Sequence, residues 1–293
     1  MYLSCLLIDV GANPDRPRPG RLWLRNLYRV HQRLCMAFPD PRTKKDDPDF
    51  LTPYWPCGFE DPRPTYCATQ DQRFSDGRCL ASKRPVHVAR SEESNFLFRV
   101  DPLPGNRAMI LVQSAHNPDW SYAFHNADYF LHKPEPFLAA PVQTRSFDPR
   151  FEPSQRLRFR LLANPVRKVS KQSVDLGGKA FDERWIGKDV PVPNADLDKW
   201  LLRRAEPGWR PTKNSTSEHP PGFKIESINL IRPGYVDVSK SRNDLDDNAR
   251  RRRSALYEGV LEVTDTDHFR ATIISGIGPG KAFGFGLLSV AKP

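Results

Sequence analysis

"RLRFRLLAN", residues 156–164, decides how this chain is put together. It reads as a short β-strand in the middle of the sequence, and the order of elements after it repeats the order before it. Towards the N-terminus lie a possible strand in "LAAPVQTRSF" (138–147) and a weaker helix-or-loop segment over 119–131. Two strand-like runs come before these, "NFLFRV" and "RAMILVQSA", joined by "DPLPGN", which has hairpin chemistry. Further back, a helix starts near Trp23, after Pro14, Pro17 and Pro19 interrupt the backbone, and "MYLSCLLID" is a short apolar first strand. Towards the C-terminus, "ADLDKWLLRRAE" (195–206) is helical, and "FKIESINLI" and "ALYEGVLEV" are strands. "DTDHFRATIISGI" is a helix opened by an acidic first turn, and "GFGLLSV" is a closing strand.

Each half therefore reads strand, helix, strand, strand, helix, strand. The expected fold is α+β: two tandem ferredoxin-like (RRM-like) βαββαβ domains with long insertions. The first covers 1–150, with an insertion at about 39–94 that is rich in proline, aspartate and lysine and has no steady period. The second covers 151–293 and carries a glycine-rich loop at 276–286. Such sheets are common nucleic-acid platforms but also serve metabolic enzymes, so topology alone assigns no function.

Charge narrows the partner class. The chain has 293 residues, 38% of them hydrophobic, enough for real cores, and a formal net charge of +10. Residues 151–293 hold 25 Lys and Arg against 18 Asp and Glu, net +7 of that total, so the positive charge leans to the second half. A polyanion is the natural partner, nucleic acid before membrane. No apolar run approaches the 18 or so residues of a spanning helix, and "MYLSCLLID" is too short for a signal peptide, so a cytoplasmic protein with no membrane partner is expected. Five cysteines at irregular spacing make no disulfide framework. Cys57, Cys67 and Cys79 with His87 lack the close pairs of a structural zinc site, so neither a metal nor another cofactor is expected.

Two stretches concentrate chemistry. In "RNLYRVHQRLCMAFPD" (25–40), Leu27, Val30, Leu34, Ala37 and Phe38 fall on one stripe at 100° per residue. His31 lies on its flank, Tyr28 further round, and Arg25 and Arg29 beyond; taken alone, this suits a packing histidine beside a solvated basic face. In "GIGPGKAFGFGLLSV" (276–290), Gly278, Gly280 and Gly284 allow positive φ and close approach of backbone to a ligand, with Lys281 as a cation among exposed N–H groups. This is neither a P-loop nor a dinucleotide fingerprint. "NARRRRSALYEG" places Arg250 to Arg253 immediately before a strand, as a solvated tether or nonspecific RNA contact. His116 follows a strand in a polar turn, and Ser114 has no nucleophile-elbow setting.

Together with "MYLS", "NFLFRV", "ILVQSA", "FRLLANPVRK" and "YEGVLEV", these stretches are colinear with, and resemble, the CRISPR-associated CasE proteins, the precursor-crRNA endoribonucleases of type I-E Cascade. The chain is longer than is usual for that family, chiefly at 39–94 and 206–254, and those inserts inherit nothing from the resemblance. The resemblance implies tandem ferredoxin-like domains, metal-independent cleavage of CRISPR repeat RNA at the base of a hairpin, and retention of the crRNA hairpin among the other Cascade subunits. It places the catalytic histidine on His31, as general acid or base, and the neighbouring tyrosine on Tyr28. Attack by the 2′-hydroxyl on the adjacent phosphate, leaving 2′,3′-cyclic phosphate and 5′-hydroxyl ends, needs two proton transfers and positive charge on the phosphorane, which Arg25, Arg29 or Lys281 could supply. It also implies that the segment after "ANP", with Arg167, Lys168, Lys171 and Lys179, contributes cations to the RNA hairpin. The competing reading is a noncatalytic subunit that holds the RNA while His31 merely packs. A small-molecule ferredoxin-like enzyme lacks a pocket signature.

Overall fold

Alternating apolar residues build two four-stranded antiparallel sheets. The computed structural model describes residues 1–12, 19–40, 95–125, 138–174, 178–206, 220–238 and 251–293. The first sheet comprises β1 (Tyr2–Asp9), β2 (Phe96–Leu103), β3 (Arg107–Ser114) and β4 (Gln143–Ser146), in the order β2-β3-β1-β4. The second comprises β5 (Arg156–Ala163), β8 (Phe223–Asp237), β9 (Arg251–Val263) and β10 (Leu288–Ala291), in the order β10-β5-β9-β8. Numbered within each half, both orders are 4-1-3-2 with every neighbour antiparallel, the arrangement expected of βαββαβ units. Between β5 and β8 sits a small ribbon, β6 (Val166–Lys168) paired with β7 (Asp189–Pro191).

Helices cover one face of each sheet. In the first half, α1 (Pro19–Leu24), α2 (Leu27–Cys35) and α3 (Trp120–His125) follow the strands. Leu27, Val30 and Leu34 of α2 close over Leu6, Ile8 and Ile110. In the second half, α4 (Leu197–Ala205) and α5 (Thr266–Ser275) bury Leu197, Leu201, Phe269 and Ile273 against Phe159 and Leu261. The α5 N-terminus is capped by Asp265, whose side chain accepts from the His268 N–H. Burial of Tyr257, whose hydroxyl donates to the Leu197 carbonyl at 3.0 Å, pushes its phenol pKa up.

Four expectations need correction. The helix expected from Trp23 is two helices. Asn26 has extended backbone (φ −128°) and its side-chain oxygen accepts from the Tyr28 and Arg29 N–H groups, so it ends one helix and caps the next. Arg25 therefore lies between the helices and not on the helix that carries His31. Arg251, Arg252 and Arg253 are not a tether before a strand: they lie inside β9, paired with Asp237, Val236 and Tyr235. The closing strand starts at Leu288 rather than at Gly284, because Gly284 and Gly286 hold positive φ and pleating begins only after them. The cysteine set considered for zinc, with His87, lies outside the described residues.

The two sheets meet through buried polar contacts. Arg99 of β2 pairs with Asp101 at 2.9 Å, with side chains only 5% and 8% exposed. The Arg99 guanidinium also donates to the Arg160 and Leu287 carbonyls and to the Ser289 hydroxyl, all in the second half. Burial lowers its pKa, while Asp101 opposes that effect. Gln113 of β3 donates to the Ile273 carbonyl at 2.7 Å, a second link between the halves.

Candidate active site

The site begins with the cap on α2. By starting the helix at Leu27, Asn26 aims the apolar stripe at the first sheet and leaves Tyr28 and His31 on its flank, both half-buried. The His31 ring lies 5.3 Å from Phe96 and 6.2 Å from Phe98 by centroid, and its Nε2 is 3.5 Å from the Cys35 sulfur one turn on. The Tyr28 ring lies 6.1 Å from Phe283. Arg29 points to solvent; Arg33, on the same helix, is turned away, donating to the Ala123 carbonyl, and burial lowers its pKa to about 10.

Phe283 belongs to the far end of the chain. Residues Lys281–Phe283 form a single 3₁₀ turn bracketed by Gly280 (φ 82°) and Gly284 (φ 77°), both left-handed. A Cβ on Gly280 would meet the Phe285 ring at 2.9 Å, and one on Gly284 would meet Phe98 at 3.1 Å. The sequence assigns these glycines to close approach of a ligand; the atoms that leave no room for a Cβ are the protein's own. A Cβ on Gly278 would likewise sit 3.2 Å from the Trp200 ring. The loop is thus packed down between the two halves, and it sets Lys281 on the turn that packs against α2. Burial lowers the Lys281 pKa from the ordinary lysine value, so its charge is poorly hydrated.

The third component starts where the glycine loop touches β5. Asn164, beside Gly280, leads into β6, and the indole N–H of Trp200 donates to the Val166 carbonyl at 3.1 Å, holding the ribbon at its base. Arg167 donates to the Val174 carbonyl at 2.7 Å and lies 5.7 Å from the Phe181 ring. Lys168, Lys171 and Lys179 are exposed. The sequence reading missed Trp185, 39% exposed, flanked by Arg184 at 5.9 Å and Lys188 at 5.5 Å. An aromatic between cations in "ERWIGK" was the available signal, since such alternation offers both a stacking face and phosphate contacts.

The remaining candidates lie elsewhere. Ser114 is buried and donates its hydroxyl to the His116 carbonyl at 2.8 Å, so both serve a turn. His268 pairs with Asp265 at the cap of α5. Among the described residues no three His, Cys, Asp or Glu side chains are grouped as a metal ion would require, and no helix is long and apolar enough to cross a membrane.

Known proteins share this chain's sequence pattern and fold. A family model described as "CRISPR associated protein" matches residues 78–292. The CRISPR-associated endoribonuclease Cse3 of Thermus thermophilus is 30% identical over 220 residues, covering 72% of this chain and 86% of that protein. The Cascade subunit CasE of Escherichia coli is 26% identical over 157 residues, covering 53% and 67%. Among solved structures, Cse3 bound to 19 nt RNA superposes with a TM-score of 0.56 at 25% identity, covering 99% of this chain and 100% of that one. Cas6e of Escherichia coli has the same fold, with a TM-score of 0.50. With a family match over most of its length and a relative of this identity, the chain belongs to the CRISPR-associated CasE (Cse3) family.

Proposed function

We propose that this protein is an endoribonuclease that cuts CRISPR repeat RNA without a metal ion and keeps the product hairpin, working in the cytoplasm with other Cascade subunits. The observation that carries the reading is the meeting of α2, with Tyr28 and His31, and the turn that bears Lys281, brought from opposite ends of the chain. The similarity to the endoribonuclease Cse3 and to its RNA-bound structure supports the same reading. The two sheets then act as two domains dividing near residue 150.

The chemistry follows from the residues. The 2′-hydroxyl oxygen attacks the adjacent phosphorus, the bond to the 5′-oxygen breaks, one proton leaves the nucleophile and one reaches the leaving oxygen. An imidazole titrates near neutrality and performs either transfer, which is the role of His31. Tyr28, one turn away, orients the nucleophile or the phosphate by hydrogen bonding. Lys281, with Arg29 or Arg25, offsets charge on the phosphorane, and a poorly hydrated cation does this better than a solvated one. Arg167, Lys168, Lys171 and Lys179 hold the stem through phosphates, and the loop of Gly278, Gly280 and Gly284 keeps Lys281 in place.

Protein in excess over labelled repeat RNA, with EDTA present, tests this. Cleavage to a cyclic phosphate end is expected, falling about 10²- to 10⁴-fold in His31→Ala. The stacking of His31 near Phe96 and Phe98 equally suits a packing residue. Tight binding of repeat hairpins without any cut would favour the noncatalytic subunit.

A further inference from the structure

We propose that the outer face of the arm formed by the ends of β8 and β9, centred on Tyr235 and Arg253, binds single-stranded nucleotides flanking the RNA hairpin. This rests on the RNA-processing reading and adds a second contact region to it. The arm is the far end of the β8–β9 pair in the second sheet. Strand β5 pairs with β9 only as far as Ala255. Beyond that point Gly234–Asp237 and Arg251–Ser254 pair with each other alone.

Cross-strand partners share a face, and successive residues alternate. Val236 packs against the core of the first sheet, so Tyr235, Arg253, Asp237 and Arg251 face the other way. Tyr235 is 63% exposed. Arg253 is fixed beside it: one guanidinium nitrogen donates to the Tyr235 hydroxyl at 3.1 Å, the other to the Asn194 side chain, and its Cζ lies 5.2 Å from the tyrosine ring centroid. A planar aromatic with an open face and an immobilised cation is what a base and its phosphate require, with the ordering of the arginine already met in the free protein. Asn194 follows β7 by three residues, so this pair is continuous with the ribbon that carries Arg167 and Lys168. Arg251 is exposed on the same face and adds positive charge, beside its partner Asp237. Arg251 and Arg253 on this face, with the cations of the adjoining ribbon, favour a phosphate-bearing ligand over a protein.

The test measures the affinity of the full chain for two uncleavable RNAs, the repeat stem alone and the stem with short single-stranded flanks. Wild type should bind the flanked RNA more tightly. Tyr235→Ala should lose roughly 5- to 100-fold on the flanked RNA and little on the bare stem, while Tyr235→Phe keeps most of the difference. Arg253→Lys, which keeps charge but not the planar fork, should fall between them. Equal affinity of wild type for both RNAs, or equal losses on both in Tyr235→Ala, overturns the inference. An effect confined to co-purification with other Cascade proteins overturns it in favour of a protein contact. Failure to bind either RNA refutes the RNA-processing reading instead.

Discussion

The two sheets share one strand order but carry different equipment. In the first, the connection after β1 is a capped helix that presents Tyr28 and His31, with Arg25 and Arg29 exposed beside them. In the second, the connection after β5 is interrupted by a ribbon of exposed lysines and an aromatic, and the connection after α5 is a tightly packed glycine loop with Lys281 at its middle. On the proposed function, the duplicated architecture divides the work: the proton-transfer residues come from the first half, and the second supplies the stem-binding ribbon and reaches back with Lys281. A division of this kind functions only if the halves are held in one orientation, which is what Arg99 and Asp101 do at their junction.

The sharpest way to break this arrangement is Asp101→Ala. It leaves the buried Arg99 charge without its carboxylate and should cost about 3–5 kcal/mol of stability, read by denaturant unfolding, with cleavage falling in parallel. Removing Lys168 and Lys171 together addresses one half only. RNA affinity should drop similarly across stem sequences, and the slope of log affinity against log salt should lessen by about 1 per lysine. Lys281→Arg sharpens the comparison through pH. Because burial favours the neutral amine, Lys281 loses its charge at a lower pH than an exposed lysine, so the alkaline limb of cleavage should lie lower in wild type than in the arginine variant. The smallest effect is expected at Cys35, whose sulfur meets the His31 imidazole. Cys35→Ser should keep the pH profile of single-turnover cleavage and Cys35→Ala should shift it modestly, because only the serine retains a hydrogen-bonding group at His31.

Strand order was readable because runs such as "RAMILVQSA" and "ALYEGVLEV" are apolar enough to announce themselves. The break at Asn26 was not read, although asparagine before an apolar period is a cap signal, because the residues on either side keep helical spacing. The reach of β9 into three arginines was invisible, since their strand is imposed by pairing with Tyr235–Asp237 and not by their own propensity. The expectation for His31 and Tyr28, and for the cations after "ANP", came from the family resemblance; what the fold adds is that the two side chains share one helix flank and that the lysines are exposed. The meeting of Tyr28 with Phe283 was not legible, because contact between chain ends leaves no local pattern. The purpose of Gly280 and Gly284 was partly legible: positive φ was foreseen, but the packing partners Phe285 and Phe98 could come only from the fold.

The central claim, that the first half carries the proton transfer while the ribbon of the second holds the RNA, is tested most directly by measuring single-turnover cleavage rate and RNA affinity side by side for His31→Ala and for Arg167→Ala combined with Lys168→Ala. The account predicts that His31→Ala loses about 10²- to 10⁴-fold in rate with its affinity kept, while the ribbon variant loses affinity and recovers its rate once RNA saturates. Cleavage surviving in His31→Ala, or rate and affinity falling together in both proteins, would contradict it.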